Sequence, residues 1–473
     1  VTYLEVIKYL DSFINYEKLP RYPYKEFLKL ERISAFLKTL NNPQDELKCI
    51  HIAGTKGKGS TCAFIAYILR QAGFKVGLYT SPHLSDLRER IRILNVTPHT
   101  SHVTHQEFEG MISKDELTEL VERLKPAIED YNKDSEYGAL SFFEVYTALA
   151  FIYFKENKVD FAVLETGLGG RLDATNTVDS LISAITPISY EHTRQLGKAL
   201  TKIAYEKAGI IKAQSAKRKA QNLIVITAPQ EKEAIEVIRD KCKKQGAILY
   251  EIGRDIIFQK QESRQDYQCF NINGVFGRLT DLKIRLLGRH QIINATTAVA
   301  VILALSKFYR TKIPNGVNVE AIKNGLYNTI WPGRFEIILE RPSMVLDGAQ
   351  NFASAQALKE AIIENFPDNR IILVLGISQD KDMKGICQAL LPISAEVILT
   401  RADNPRAADV DGIEQVISYQ LSVVSPQITK TRRVEEAIEL AKRKAKYGDL
   451  ILVTGSLFLV GEARELLKIG GEY

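Results

Sequence analysis

Paired cysteines are missing from this sequence. Its five cysteines, Cys49, Cys62, Cys242, Cys269 and Cys387, are odd in number and scattered, and no C-x-x-C occurs. That excludes a disulfide framework and a zinc knuckle, and it points to a reducing, cytoplasmic setting. Long hydrophobic runs are missing as well: no stretch approaches eighteen consecutive apolar residues. The first residues, VTYLEVIKYLDSFINYEK, carry no basic start, apolar run or small-residue cleavage site. No membrane partner is expected. Nor is there a block of one charge sign. The 63 basic and 57 acidic side chains are interspersed, with a net charge of +6, which argues against nucleic acid and suits a polyanionic small molecule.

What is present is a globular composition, 45% hydrophobic and 25% charged over 473 residues, enough for two or three domains. Short β-rich runs alternate with helical patterns. KCIHIAG reads as a buried strand, KGSTCAFIAYILRQAGF as a helix and KVGLYTS as the next strand; VDFAVLE, SLISAIT and NLIVITA follow. The alternation predicts an α/β fold with a doubly wound, mostly parallel sheet. Residues 248–288 alternate with turn signals and no helical period, which predicts a small antiparallel β insert. A helix over about 290–309 follows, then a second α/β series with RFEIILE, SMVLDG, IILVLG, EVILT and LILVTG. The boundary is placed at Trp331-Pro332-Gly333, giving a larger domain over 1–330 and a smaller Rossmann-like one over 331–473.

The stretch HIAGTKGKGST, His51 to Thr61, resembles a P-loop with two positions changed. Ile52 stands where the first glycine of G-x-x-x-x-G-K-[ST] belongs, and Gly59 replaces the hydroxyl residue after Lys58. Strand, glycine-rich turn and helix start still suit a phosphate: backbone N–H groups point inward and the helix N-terminus adds partial positive charge. Lys58 would sit on the β- and γ-phosphates as a point charge. A metal would then need other ligands. Ser81 after the second strand, Glu165 at the end of VDFAVLE and His192 after SLISAIT are candidates, because carboxyl ends of parallel strands converge on one crevice. Singly, the serine and the glutamate read more readily as a cap or a solvent contact, and the histidine as a packed loop residue.

Taken in order, AGTKGKGST, YTSPHLSDLRERI, ETGLGGRLDATN, EHTRQLGKALTKIAYEKAGIIK, GRHQIINA, WPGRFE, LDGAQN and VTGSLFLVGEAR resemble the dihydrofolate synthase/folylpolyglutamate synthase family of Mur-type ATP-dependent amide ligases. The resemblance runs from LDSFINYEK to the C-terminal end. It implies a P-loop ATPase domain followed by a smaller Mur-ligase-type domain, and a reaction in which a pteroate or folate carboxylate attacks the γ-phosphate of ATP. The amine of L-glutamate then displaces phosphate from the acyl phosphate. The family's ATP loop falls on Gly57, Lys58, Gly59 and Ser60, with further nucleotide contacts at Asn294, Arg334 and Asp347. Its two magnesium ions fall to Ser81, Glu165, His192 and Lys207, the last as a CO2-derived carbamate; Lys58, Glu165, His192 and Lys207 form the implied catalytic set. Substrate contacts fall on Leu30, Glu31, Ser141, Phe142, Phe143, Glu144, Leu172, Asp173 and Ala174. The implied partners are small molecules, namely ATP, L-glutamate and dihydropteroate or folates, bound by a monomer. Another Mur-type amino-acid ligase and a non-catalytic nucleotide switch are the alternatives.

Four positions depart from the family pattern. Lys56 replaces an asparagine and adds a cation beside the phosphates, Glu191 replaces an aspartate, Gln350 a histidine and Lys29 a glycine. Gln350 cannot titrate or carry charge. An additional segment, NVTPHTSHVTHQEFEG, carries His99, His102 and His105, three of seven histidines. Pro98 and the threonines oppose a helix that would align the rings, so a loop is expected there.

Overall fold

The computed structural model describes residues 1–17, 19, 24–96, 108–212, 223–309, 316–340, 342–420 and 426–469. The His99/His102/His105 segment lies outside them.

Seven short strands form the first sheet: β1 (Cys49–Ala53), β2 (Val76–Tyr79), β3 (Ile91–Leu94), β4 (Phe161–Glu165), β5 (Ser180–Ile185), β6 (Ile224–Thr227) and β7 (Ile248–Glu251). Their spatial order is β3-β2-β4-β1-β5-β6-β7, parallel throughout except for the antiparallel edge pair β2–β3. β1 and β4 are buried on both faces, which is why they read as continuous apolar runs rather than alternating ones. The alternation survives in where the side chains go. Ile50, Ile52, Phe161 and Val163 enter one core, shared with the helices Lys58–Gln71 and Arg289–Phe308. Cys49, Ala162 and Leu164 enter another, shared with the helix Phe142–Glu156. The chain leaves β1 toward β2 on one side and returns to β5 on the other. The carboxyl end of β1 is therefore a topological switch point, where open α/β sheets hold ligands.

The antiparallel unit is narrower than the sequence pattern suggests. β8 (Ile256–Ser263), β9 (Gln268–Gly274) and β10 (Gly277–Ile284) form a three-stranded sheet of their own. Ile248–Glu251, read as part of the insert, is instead the last parallel strand of the first sheet. Four residues are too few for periodicity to tell a parallel edge strand from a hairpin arm.

Arg289–Phe308 has the length and mean hydropathy of a membrane span. Gln291, Asn294, Thr296 and Thr297 interrupt its apolar residues, and most of the helix is buried against the first sheet. It is a core helix.

A second sheet follows, with β11 (Glu336–Glu340), β12 (Ser343–Asp347), β13 (Ile371–Leu375), β14 (Glu396–Leu399), β15 (Gln427–Lys430) and β16 (Leu450–Thr454). Its order is β11-β12-β16-β13-β14-β15, parallel except for β11. The chain is α/β with two mostly parallel sheets.

Candidate functional site

Gly57 opens the helix Lys58–Gln71 at φ 79°, a left-handed conformation that favours glycine. Space demands the same residue, since a Cβ there would stand 2.1 Å from Asn294 Oδ1. Asn294 is buried and donates to Gln291 Oε1 at 3.0 Å, so its side chain is held against the loop. Gly59 meets a second wall: a Cβ would lie 2.8 Å from the Trp331 ring. Ser60 is buried in the first turn. The loop is thus shaped by the start of helix Arg289–Phe308 and by the segment leading into the second sheet.

Three of the sequence candidates meet beside it. Lys58 Nζ stands 3.7 Å from Glu165 Oε1, at the end of β4 next to β1. The Ser81 backbone N–H donates to Glu165 Oε2 at 3.2 Å, and the Ser81 hydroxyl is buried with no hydrogen-bond partner among the described residues. Burial pushes the Glu165 carboxyl above its ordinary range, opposed by Lys58, the Ser81 N–H and Arg334. A buried hydroxyl without a partner beside a carboxylate at a strand end is a donor set that fits a hard cation. Among the described residues no three His, Cys, Asp or Glu side chains cluster as a metal site. The fit therefore rests on the hydroxyl and the single carboxylate.

His192 begins a short helix at φ 51°, and its charged neighbours are Glu191, Lys381, Lys207 and Lys58. Burial lowers its pKa to about 4, with Glu191 opposing, so the ring is neutral at pH 7 and able to act as a ligand. Lys207 is buried and donates from Nζ to the Gly54 carbonyl at 2.7 Å, under the phosphate loop. Burial, aided by Lys58, brings its pKa down to about 7, while Glu191 and Asp173 oppose. A substantial neutral fraction of this amine is present near neutrality.

Other sequence candidates have structural duties. Asp347 accepts from the Phe335 and Ala349 N–H groups, both at 2.9 Å, and so organises the turn after β12. Burial raises its pKa, with Arg334 opposing. Arg334 lines a cleft of about 840 Å³ together with Trp331, Phe335 and Phe366. Ser141 and Glu144 form the capping box of helix Phe142–Glu156. Glu144 also accepts from Arg32 Nε at 2.9 Å and 3.0 Å. Phe142 is buried and stacked on Tyr146, and Phe143 packs over Gly167 and Tyr79. Leu30 is half-buried and Glu31 exposed at the start of helix Leu30–Thr39. Asp173 caps the turn Ala174–Thr177 through Thr175 and accepts from the Leu168 N–H at 2.9 Å, with Leu172 half-buried before it and Ala174 buried after.

One cluster was not anticipated from sequence. Glu191 lies 3.5 Å from Lys381 Nζ and accepts from Asn351 Nδ2 at 3.3 Å, joining the end of β5 to two loops of the second sheet. Burial raises the Glu191 pKa, yet Lys381, His192, Lys58 and Lys207 outweigh it and bring the value to about 2. The only sequence signal was charge within SQDKD, which reads as an ordinary solvated loop.

Comparison with known proteins identifies the family and the fold. The Mur ligase middle domain matches residues 131–302, and the Mur ligase, glutamate ligase domain matches residues 333–457. The dihydrofolate synthase/folylpolyglutamate synthase of Bacillus subtilis is 32% identical over 440 residues, covering 93% of this chain and 95% of that protein. The folylpolyglutamate synthase of Mycobacterium tuberculosis, solved with ADP and AMPPCP, superposes with a TM-score of 0.84 at 29% identity over 98% of each chain. The folylpolyglutamate synthase of Thermotoga maritima gives 0.79 at 34% identity over 100% of this chain and 98% of that one.

Proposed function

The chain belongs to the dihydrofolate synthase/folylpolyglutamate synthase family, and on that premise we propose that it is an ATP-dependent ligase joining L-glutamate to dihydropteroate, to the γ-carboxylate of folate polyglutamates, or to both. The observation that carries this reading is the grouping of Lys58, Glu165 and the Ser81 hydroxyl, which has no hydrogen-bond partner among the described residues, at the carboxyl ends of β1, β4 and β2.

The chemistry follows from charge. A carboxylate is a poor acylating agent because oxide will not leave; phosphorylation supplies a leaving group. The substrate carboxylate oxygen attacks the γ-phosphorus, the bond to the β–γ bridging oxygen breaks, and ADP departs. The glutamate amine then attacks the acyl carbon, loses a proton and expels phosphate. Two anions must approach in the first step, so cations have to offset their repulsion. The helix N-terminus at Gly57 and the Lys58 ammonium take the phosphates. Ser81 and Glu165 would hold magnesium, with His192 the further ligand that the family resemblance implies, and the ion when bound would neutralise charge between nucleotide and carboxylate. The Lys207 amine, largely desolvated, is suited to take up CO2: its nitrogen bonds the carbon, a proton leaves, and an anionic carbamate results. We assign the chain to the cytoplasm as a monomer, a state that light scattering on the purified protein reads directly.

A substrate panel tests the reading. ADP release should require dihydropteroate or a reduced folate together with L-glutamate, with glutamylated products resolved by mass. Turnover with UDP-linked muramyl peptides, and none with pteroate or folates, would overturn it.

A further inference from the structure

The phosphate loop spends donors that such loops ordinarily offer to their ligand. The Thr55 and Lys56 N–H groups both donate to the Pro187 carbonyl, at 3.0 Å and 3.2 Å. The Thr55 hydroxyl donates to the Ser189 carbonyl at 3.2 Å and accepts from the Ser189 N–H at 3.1 Å. The first half of the loop is therefore turned toward the segment after β5, and inward-pointing N–H groups remain only from Gly57 onward. Lys58 has a carboxylate 3.7 Å away in Glu165. Lys56, half-buried, has neither a hydrogen bond nor an ion pair from its ammonium among the described residues. The acid nearest in its field is Glu191, which Lys381 and Asn351 already hold.

Its other neighbours add positive charge. Lys56 and Arg334 both act on His290, whose pKa falls to about 4 through burial and these two cations. Burial also brings Lys56 down to about 8, with Glu191 opposing. Keeping an ammonium half out of water without a partner is costly, and a polyphosphate would offset that cost. We propose that Lys56 is a second phosphate-binding cation of this loop, bonding the terminal phosphates of ATP beside Lys58. The inference rests on the nucleotide-binding reading of the site. The side chain then supplies toward the ligand what two backbone N–H groups give to Pro187.

The test is calorimetric binding of ATP and of inorganic tripolyphosphate to the full chain, for the wild type, Lys56→Asn and Lys56→Arg. One charge-assisted contact corresponds to a change of about ten- to a hundredfold. Lys56→Asn should weaken both ligands by that factor, raise KM for ATP and leave the unliganded melting temperature near wild type. Lys56→Arg should restore most of the affinity. Unchanged binding of ATP and tripolyphosphate by Lys56→Asn overturns the proposal, as does a lowered unliganded melting temperature with no recovery in the arginine variant. Failure of the wild type itself to bind ATP overturns the nucleotide reading beneath it.

Discussion

At the scale of single residues, burial does more than sequence spacing to define chemistry. Without the YEKAGIIK motif around it, Lys207 would read as a helix-surface lysine; the fold buries it, with Nζ donating to the Gly54 carbonyl and its pKa brought down to about 7. Lys207→Ala should retain ATP binding and lose most ligation, and depletion of CO2 and bicarbonate should lower wild-type activity reversibly. Full ligase activity in the alanine variant would remove the carbamate from the reaction. His51 shows the other use of burial. It is fully buried in β1 and shares a 2.8 Å hydrogen bond with the Thr175 hydroxyl. Burial, with Lys212 adding to it, lowers its pKa from 6.5 to about 3. Its folded pKa is depressed, so the unfolded chain binds the additional proton. Its contribution is complete above pH 6.5 and falls by about 1.4 kcal/mol per pH unit below that. Between about pH 7 and about pH 5 this amounts to roughly 2 kcal/mol, measurable as a shift in urea midpoint. His51→Gln should lose less than wild type over that interval; equal losses would show that other groups carry the acid sensitivity.

Among elements, β1, β2, β4, β5 and β6 of the first sheet were legible because strands buried on both faces leave unbroken apolar runs, as in CIHIA and FAVLE, whereas β3 was not read as a strand and β7 was read as part of the insert. The loop after β1 was legible because few sequences need glycines and a lysine between a strand and a helix. What sequence could not supply was the far side of each contact. That Gly57 stands against Asn294, or that Glu144 answers Arg32 across 112 residues, is set by packing. Ser141 and Glu144, which the family resemblance assigns to substrate, carry in the fold a helix cap and a buried ion pair. Two substitutions separate local from distant causes. Gly57→Ala meets a left-handed backbone, costing about 1–2 kcal/mol, and also the Asn294 amide. It should raise KM for ATP well beyond the loss in denaturant midpoint, and an unchanged KM would place the phosphates elsewhere. Glu144→Ala leaves the Arg32 guanidinium buried without its carboxylate and should cost about 3–5 kcal/mol. The purified variant's denaturant midpoint reads this directly, and a drop of under roughly 1 kcal/mol would mean Arg32 finds another partner.

For the molecule as a whole, the two parts share apolar packing, in which Leu84 and Trp331 join the core that also holds Leu457 and Val460, and they are tied by polar contacts as well. Arg406 Nη1 donates to the Glu17 carbonyl at 2.6 Å, while Glu17 also holds Arg90. Ser263 of the antiparallel unit bonds Asn365 at 3.1 Å. Glu191 with Lys381 is the one of these next to the candidate ligand His192, and both partners are largely buried. An ion pair in that position links the posture of the second sheet's loops to the orientation of the His192 backbone. Such a link matters if ATP is held by groups from both parts, as Lys58 and Arg334 would require. Glu191→Gln keeps the shape and removes the charge, and Lys381→Met removes its partner. If the pair couples the two halves during turnover, the double-mutant cycle in kcat/KM should give an interaction energy of about 1–3 kcal/mol. Additivity is the contrary result: with the single losses summing to the double loss, Glu191 would act only on its own neighbours. Raising ionic strength should narrow the difference between wild type and either single variant only slightly, because a pair this shielded from solvent is screened far less than a surface one.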